Sequence, residues 1–529
     1  MQPTARRSRL IATAVLAAAV AATSFVATPA VAATNTFTNA GFESALAGWT
    51  RSGTTSASKV ESGGYSGSSK LTHYLSSATS VTTSQAVTLS GTGWFTFDAV
   101  VKSGAGLGAT KLVVSGCGSA QRTVPDTTAG DAWVHLSVPV NATSTSCTFA
   151  ITTSGSAGAW ANIDDLTVKS GKVSRAVRGA DLSGVTKNEE QGAKYYTAAG
   201  AQIDPYTAFK NAGANLVRLK VWVNAADGSN SSAKVVTAAK RAEALGQQVM
   251  IDFHYSDTWA DPGAQGVPAA WAGQSVSTMT TSLSNHTTSV LTALKNAGVT
   301  VDYVQIGNEI NSGILWPYGQ TWDVNTSDSY STAQWDSLAG FLKAGIAASK
   351  AVFPSAKTIV HVTDVGSDVT WMLDPLVARG VVFDVLGLSY YGYWHGSLGN
   401  LQTQITNLGA RYGKNVLVVE TAYPWTLTDD TPTFTNVVSS SSSLVSGYPA
   451  STAGQAAWTR AVQDVVASAP GGRGIGVVYW EPAWTAQAGA GWDPANSSAG
   501  NAWENQAFFD YSSKQIAVSF ATFGADASD

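Results

Sequence analysis

The chain is 529 residues long, 44% hydrophobic and only 12% charged, with a formal net charge of −4. That apolar content excludes wholesale disorder, and an acidic balance without a basic run excludes a nucleic-acid partner. Eighteen Trp, 17 Tyr and 16 Phe point instead to a neutral, amphipathic ligand. Sugars fit that description, because their C–H faces stack on rings while their hydroxyls take hydrogen bonds.

In chain order, Arg6, Arg7 and Arg9 precede an apolar, Ala-rich run from Leu10 to Val26, and Ala30-Val31-Ala32 fits a small-residue cleavage site. Residues 1–33 therefore read as an export signal, predicting a secreted, extracellular protein that is free of the membrane after cleavage. The run is short for a membrane span and is broken by Thr13, Thr23 and Ser24. Arg6-Arg7 leaves both the general and the twin-arginine export routes open.

Residues 34–170 alternate as short strands, for example Gly93-Trp94-Phe95-Thr96-Phe97-Asp98 and Trp133-Val134-His135-Leu136-Ser137-Val138. Gly/Ser/Thr clusters separate them, which predicts an all-β jelly roll or sandwich. Cys117 and Cys147, the two cysteines of the chain, are expected to form a disulfide, since two thiols without neighbouring His make a poor zinc site. The unit opens with Asn39-Ala40-Gly41-Phe42-Glu43, reaches Trp49 and closes with Ile163-Asp164-Asp165-Leu166-Thr167-Val168. In this it resembles the β-sandwich carbohydrate-binding modules of secreted polysaccharide-degrading enzymes. A plain spacer is the alternative, and Trp94, Trp133 and Trp160 are stacking candidates that core packing explains equally well.

Residues 171–175 read as a linker. From 176 to 529 the pattern becomes α/β, with eight apolar runs: Val177–Leu182, Asn215–Val221, Gln248–His254, Tyr303–Gly307, Thr358–Val362, Phe383–Tyr390, Asn415–Val419 and Gly474–Trp480. Amphipathic stretches separate them, and Asp204-Pro205 and Asn296-Ala297-Gly298 read as helix start and stop. Eight βα units predict a (β/α)8 TIM barrel, whose chemistry lies at the C-terminal ends of its strands. Glu309 ends the fourth run and Glu420 the seventh. A single strand-end Glu is as often a cap or an ion-pair partner. Two of them, across a barrel mouth, can bracket a sugar as proton donor and nucleophile.

Longer strings carry a resemblance: Arg178-Gly179-Ala180-Asp181-Leu182-Ser183, Asp252-Phe253-His254-Tyr255-Ser256-Asp257-Thr258-Trp259-Ala260-Asp261-Pro262, Gly307-Asn308-Glu309-Ile310, Ser389-Tyr390-Tyr391, Trp480-Glu481-Pro482-Ala483-Trp484 and Trp503-Glu504-Asn505-Gln506-Ala507. Over residues 176–525 these resemble glycoside hydrolase family 53 of clan A, the arabinogalactan endo-β-1,4-galactanases. The resemblance implies hydrolysis of galactan with retention of configuration, Glu309 as acid/base and Glu420 as nucleophile. It also implies that Asn308 binds the sugar 2-hydroxyl and that His254 lies in the sugar-binding mouth.

The remaining substrate-side candidates are Asp181, Arg218, Trp259, Tyr390, Tyr391, Trp480 and Trp484. Arg218 would keep Glu420 ionised, and strand parity favours Tyr391 over Tyr390 as a partner of the nucleophile. Asp181 could equally cap a helix, and any Trp, Trp316 included, could simply pack a loop. Glu481 and Glu504 read as structural. No cofactor is expected: His361 lacks a carboxylate-rich partner set for a catalytic metal, and Asp429-Asp430-Thr431-Pro432-Thr433-Phe434 lacks the acidic alternation of a calcium loop. The expected partner is galactan or arabinogalactan, met by a monomer. Another clan A glycanase (β-mannanase or cellulase) and a catalytically silent carbohydrate-binding protein are the competing readings.

Overall fold

Large apolar side chains on every second residue build the N-terminal unit. The computed structural model describes residues 35–104, 108–128, 133–173, 175–322, 332–430 and 434–525; the export signal and part of the Asp429–Phe434 segment lie outside them. One sheet runs in the order Thr50–Gly53, Thr79–Thr88, Ser146–Gly155, Thr110–Ser115, Ala120–Thr123. The other runs Ser58–Ser62, Ser69–Tyr74, Trp160–Ser170, Gly93–Gly104, Val134–Ala142. In Gly93–Gly104, Phe95, Phe97, Ala99 and Val101 are buried between the sheets. Phe97 stacks on Phe149 of the other sheet at 5.7 Å. Cys117 and Cys147 are joined as a disulfide. The expected sandwich is present, and Trp49 belongs to its core, stacked on Phe37 at 5.8 Å.

Eight parallel strands then close a barrel in chain order: Val177–Asp181, Leu216–Val221, Gln248–Phe253, Tyr303–Ile306, Lys357–Val362, Val385–Ser389, Asn415–Glu420 and Gly474–Tyr479. This is the expected TIM barrel. Helices cover it where caps and periodicity agree. Pro205–Ala212 begins after Asp204, whose carboxylate accepts the Thr207 N–H at 2.8 Å, and Val276–Asn296 stops at the predicted position. Among the described residues, no helix is long and apolar enough to cross a membrane.

Strand parity sorts the barrel wall into two environments. Val177, Leu216, Met250, Ile359, Val385, Leu417, Val419 and Val478 fill the interior as a separate apolar cluster. Their alternate neighbours Val217, Ile251, Val360, Leu386 and Val418 pack outward under the helices. Two residues further along the same inward faces come Arg218, Asp252 and His361, all buried. The barrel is therefore plugged with hydrocarbon below and lined with polar groups at its C-terminal end. Polar groups so placed must satisfy one another, because water does not reach them.

Candidate active site

Arg218, inward on the second strand, organises the polar layer. Its Nη1 donates to Asp181 Oδ2 at 2.7 Å, and its Nη2 lies 2.9 Å from Asp252 Oδ2, Glu420 Oε1 and Asn308 Oδ1. Burial works against the guanidinium charge, but the three carboxylates around it hold the proton firmly in place. His254 donates from Nε2 to Asp252 at 3.0 Å, while its Nδ1 accepts the Trp222 indole N–H at 3.3 Å and the Ala260 N–H at 3.2 Å. For Asp252 too burial is unfavourable, yet Arg218 and His254 hold its carboxyl below the usual range.

Glu420 reaches this layer through a break in strand register. Val419 already faces the barrel interior, so an unbroken strand would turn the next side chain outward. The pairing with the sixth strand instead slips, from Leu388↔Val418 to Ser389↔Glu420, and Glu420 follows Val419 inward. There it accepts from Arg218 at 2.9 Å and from the Tyr391 hydroxyl at 2.9 Å. Burial raises its pKa, and Arg218 and Tyr391 pull the other way.

Glu309 has a different setting. It follows Gly307, at φ +82°, and itself adopts φ +46°, a left-handed conformation that is costly for a side-chain-bearing residue and typical of functional sites. Burial and then repulsion from Glu420 push its carboxyl up to about 8. No cation touches it among the described contacts. The two carboxyls thus repel within one cavity of about 430 Å³. The guanidinium favours the charge on Glu420 over Glu309.

Aromatic walls flank the pair. Trp259 stacks on Trp484 at 5.8 Å, Trp480 meets Trp503 edge-on at 4.7 Å, and exposed Trp394 packs edge-on against Tyr391 at 5.5 Å. Trp259 is fixed from behind: Lys220 Nζ lies 4.0 Å over its ring and its indole N–H donates to Trp492 O at 2.7 Å. Lys220 pairs with buried Glu481 at 2.7 Å, and burial raises the Glu481 carboxyl to about 7 despite that partner.

Of the residues singled out from sequence, Glu309, Glu420, His254, Trp259, Asn308, Tyr391, Trp480 and Trp484 line the cavity. Four do not. Tyr390 points outward by parity, donates to Gly396 O at 3.0 Å and stacks on Trp458 at 6.0 Å, so it belongs to the wall beneath the helices. Asp181 is buried, gives its oxygens to Arg218 and Ser183, and braces the guanidinium instead of lining the cavity. Arg218 is 1% exposed and acts on Glu420 rather than on a ligand. Trp316 packs against Trp322 at 5.1 Å on a loop. Sequence reading passed over Asp252, Gln305, Trp394 and Trp503 as site residues and weighed His361 only as a metal ligand; the signal that could have found Asp252, Gln305 and His361 is a polar residue on the inward parity of an otherwise apolar strand. Among the described residues, no group of three or more His, Cys, Asp or Glu is arranged to hold a metal.

A barrel whose mouth holds two carboxyls, one against a guanidinium and one away from it, between aromatic walls is the site of a glycoside hydrolase. Comparison with known proteins gives the family. The model of glycosyl hydrolase family 53 matches residues 177–523, and the chain belongs to that family. The arabinogalactan endo-β-1,4-galactanase of Cellvibrio japonicus is 36% identical over 358 residues, 66% of this chain and 90% of that one. The solved GH53 catalytic domain of Ignisphaera aggregans is 36% identical with a TM-score of 0.61, covering 66% of this chain and 95% of that one. A solved TmCBM61 in complex with β-1,4-galactotriose is 25% identical with a TM-score of 0.24, covering 26% of this chain and all of its own.

Proposed function

We propose that the protein is a secreted, retaining endo-β-1,4-galactanase that cleaves galactan and arabinogalactan by double displacement. Its relatives act on this polymer, and the unequal electrostatics of the two carboxyls support the mechanism. Glu420, braced by Arg218 and Tyr391, attacks the anomeric carbon. Glu309 gives its proton to the departing glycosidic oxygen. A water then attacks the covalent glycosyl-enzyme, losing its proton to Glu309 as the Glu420–sugar bond breaks. Asn308 would meet the 2-hydroxyl, since its amide lies in the cavity beside Glu420. The single observation that carries this reading is that the guanidinium touches only one member of the pair.

Export follows from residues 1–33, and the sandwich is proposed to hold the enzyme on its polysaccharide, raising the local concentration of bonds to be cut. Reducing-sugar release from purified galactan, mannan and cellulose tests the substrate. Release from galactan is expected, and a preference for mannan or cellulose would transfer the reading to a sister glycanase. Glu309→Ala and Glu420→Ala should each cut turnover on galactan by roughly 10³-fold or more. Full activity in either variant would remove the mechanism.

A further inference from the structure

The loop that follows the nucleophile strand is long and is held at three places. It spans residues 421–451, between the strand Asn415–Glu420 and the helix Thr452–Ala467. Phe434 and Val437 on it line the substrate cavity. Loops of this length are uncommon unless they bind or cover a ligand. Near the cavity, the Val437 N–H donates to Ala502 O at 2.9 Å, and Asn505 Nδ2 donates to Thr426 O and Val438 O, both at 2.8 Å. The neck of the loop is closed by Tyr423, just past Glu420. Its hydroxyl donates to Tyr448 O at 2.6 Å and accepts the Val445 N–H at 3.0 Å. The rings of Tyr448 and Tyr423 both pack on Trp458 of the helix, at 5.0 and 5.3 Å.

The third hold comes from the sandwich. Its corner at residues 125–128 is pinned to the other sheet, since Ser103 Oγ donates to Pro125 O and the Thr127 N–H donates to Ser103 O, each at 2.9 Å. Asp126, buried at 4% exposure, accepts the Thr128 N–H at 2.9 Å. From this corner the Thr128 hydroxyl is hydrogen-bonded to the Ser446 hydroxyl at 3.1 Å, and the Asp126 side chain lies directly against Gly447. Gly447 has φ +83°, and a Cβ there would overlap Asp126. Glycine is what permits so close an approach. Ser446 and Gly447 lie between Val445 and Tyr448, the two residues that Tyr423 grips, so the sandwich presses on the neck itself. This contact is separate from the Arg122–Asp464 ion pair, which meets the last turn of the helix Thr452–Ala467.

We propose that Asp126 and Thr128 are positioning residues for substrate binding: the sandwich braces the neck of the loop after the seventh strand and so holds Phe434 and Val437 in the cavity wall before the sugar arrives. The proposal rests on the reading of the cavity as a galactanase site. A module that served only to tether the enzyme needs no contact with a loop of the active site. A loop ordered in advance loses little freedom when substrate binds. A released loop must be ordered by the substrate, and that cost appears in KM. Glu420 keeps Arg218 and Tyr391 in either case, so kcat is the less affected constant.

The test is kcat and KM of the full chain on β-1,4-galactohexaose, a soluble substrate on which tethering to a polysaccharide has no effect. Gly447→Ala should raise KM by about three- to tenfold, with kcat within about twofold of the wild type. Asp126→Gly opens space for the new methyl group, so the pair Asp126→Gly/Gly447→Ala should bind substrate better than Gly447→Ala alone. Equal KM for Gly447→Ala and the wild type would overturn the proposal. So would a rise that Asp126→Gly leaves unrelieved, because the effect would then be backbone strain within the loop. Ser446→Tyr pries at the same contact without a demand on the backbone and covers the case in which Gly447→Ala does not fold. The same rise in KM is expected of it, and a wild-type KM overturns the proposal. Wild-type cleavage of galactohexaose with unmoved KM in the variants rejects the brace and keeps the galactanase; no cleavage by the wild type rejects the galactanase reading and the brace with it.

Discussion

At the scale of single residues, the two carboxyls differ through what touches them. Glu309 is held near 8 by burial and by Glu420, against an ordinary value of 4.5. The folded state therefore binds a proton that the unfolded chain has lost between those two values. Stability contributed by this group is complete at pH below about 4.5 and declines as pH rises toward about 8. Glu309→Gln removes that cost, so it should stabilise the fold at pH 7–8 by roughly 1–2 kcal/mol after allowance for partial exposure, and leave stability unchanged near pH 4. Calorimetry of the inactive variant across that range is the check; a gain that is the same at both ends would mean packing rather than charge. The same group should make wild-type kcat/KM decline as pH rises through about 8. An active site that is less stable than it could be is expected where function needs an uncomfortable charge.

Among the elements, the seventh strand and the loops after the third and eighth do the positioning. The register slip between Val418 and Glu420 is what turns the nucleophile inward, and the upper barrel accommodates it because Gly387 leaves room for Val419. The third-strand loop presents Trp259, clamped between Lys220 and the eighth-strand loop. That clamp makes Trp259 a rigid face rather than a mobile rim residue. Trp259→Ala should therefore raise KM for galactan by roughly three- to tenfold with a smaller effect on kcat. A change confined to thermal stability would assign the ring to loop packing. Tyr390 and Tyr391 illustrate parity at work: neighbours in sequence, they stand on opposite sides of the barrel wall.

On the scale of the whole molecule, sandwich and barrel are joined by buried charge. Arg122 of the sandwich and Arg175, just before the barrel, both grip Asp464 on the helix Thr452–Ala467, and all three are at most 5% exposed. The segment read as a linker is tied down as well: Thr96 Oγ1 donates to Gly171 O at 2.9 Å and accepts the Val173 N–H at 3.2 Å. His135 N–H donates to Gln402 of the barrel at 3.1 Å. The junction sits away from the catalytic mouth, since Asp464 lies on the helix that leads into the foot of the eighth strand. Asp464→Ala would leave two buried guanidiniums without their shared carboxylate, destabilising the chain by about 3–5 kcal/mol while leaving kcat on soluble galactan near the wild-type value. Thermal unfolding of the wild type should show one transition for both parts; two well-separated transitions would count against a coupled junction.

Fold class, the order of the eight strands, the sandwich and the two carboxyls at strands four and seven were legible in the amino-acid sequence. All of these depend on local signals: side-chain alternation, caps, and residues at the ends of apolar runs. The polar layer was legible only in part: Arg218 was read as the partner of Glu420, but the links among Asp181, Asp252, Gln305 and His361 join different strands and exist only once the barrel closes. Parity alone would have turned Glu420 outward, and no local signal announces the slip that corrects it. Sequence determined which chemistry the chain carries and named Arg218 as the partner of Glu420; the closed barrel decided the geometry, because only closure brings the guanidinium of the second strand within 2.9 Å of a carboxylate on the seventh.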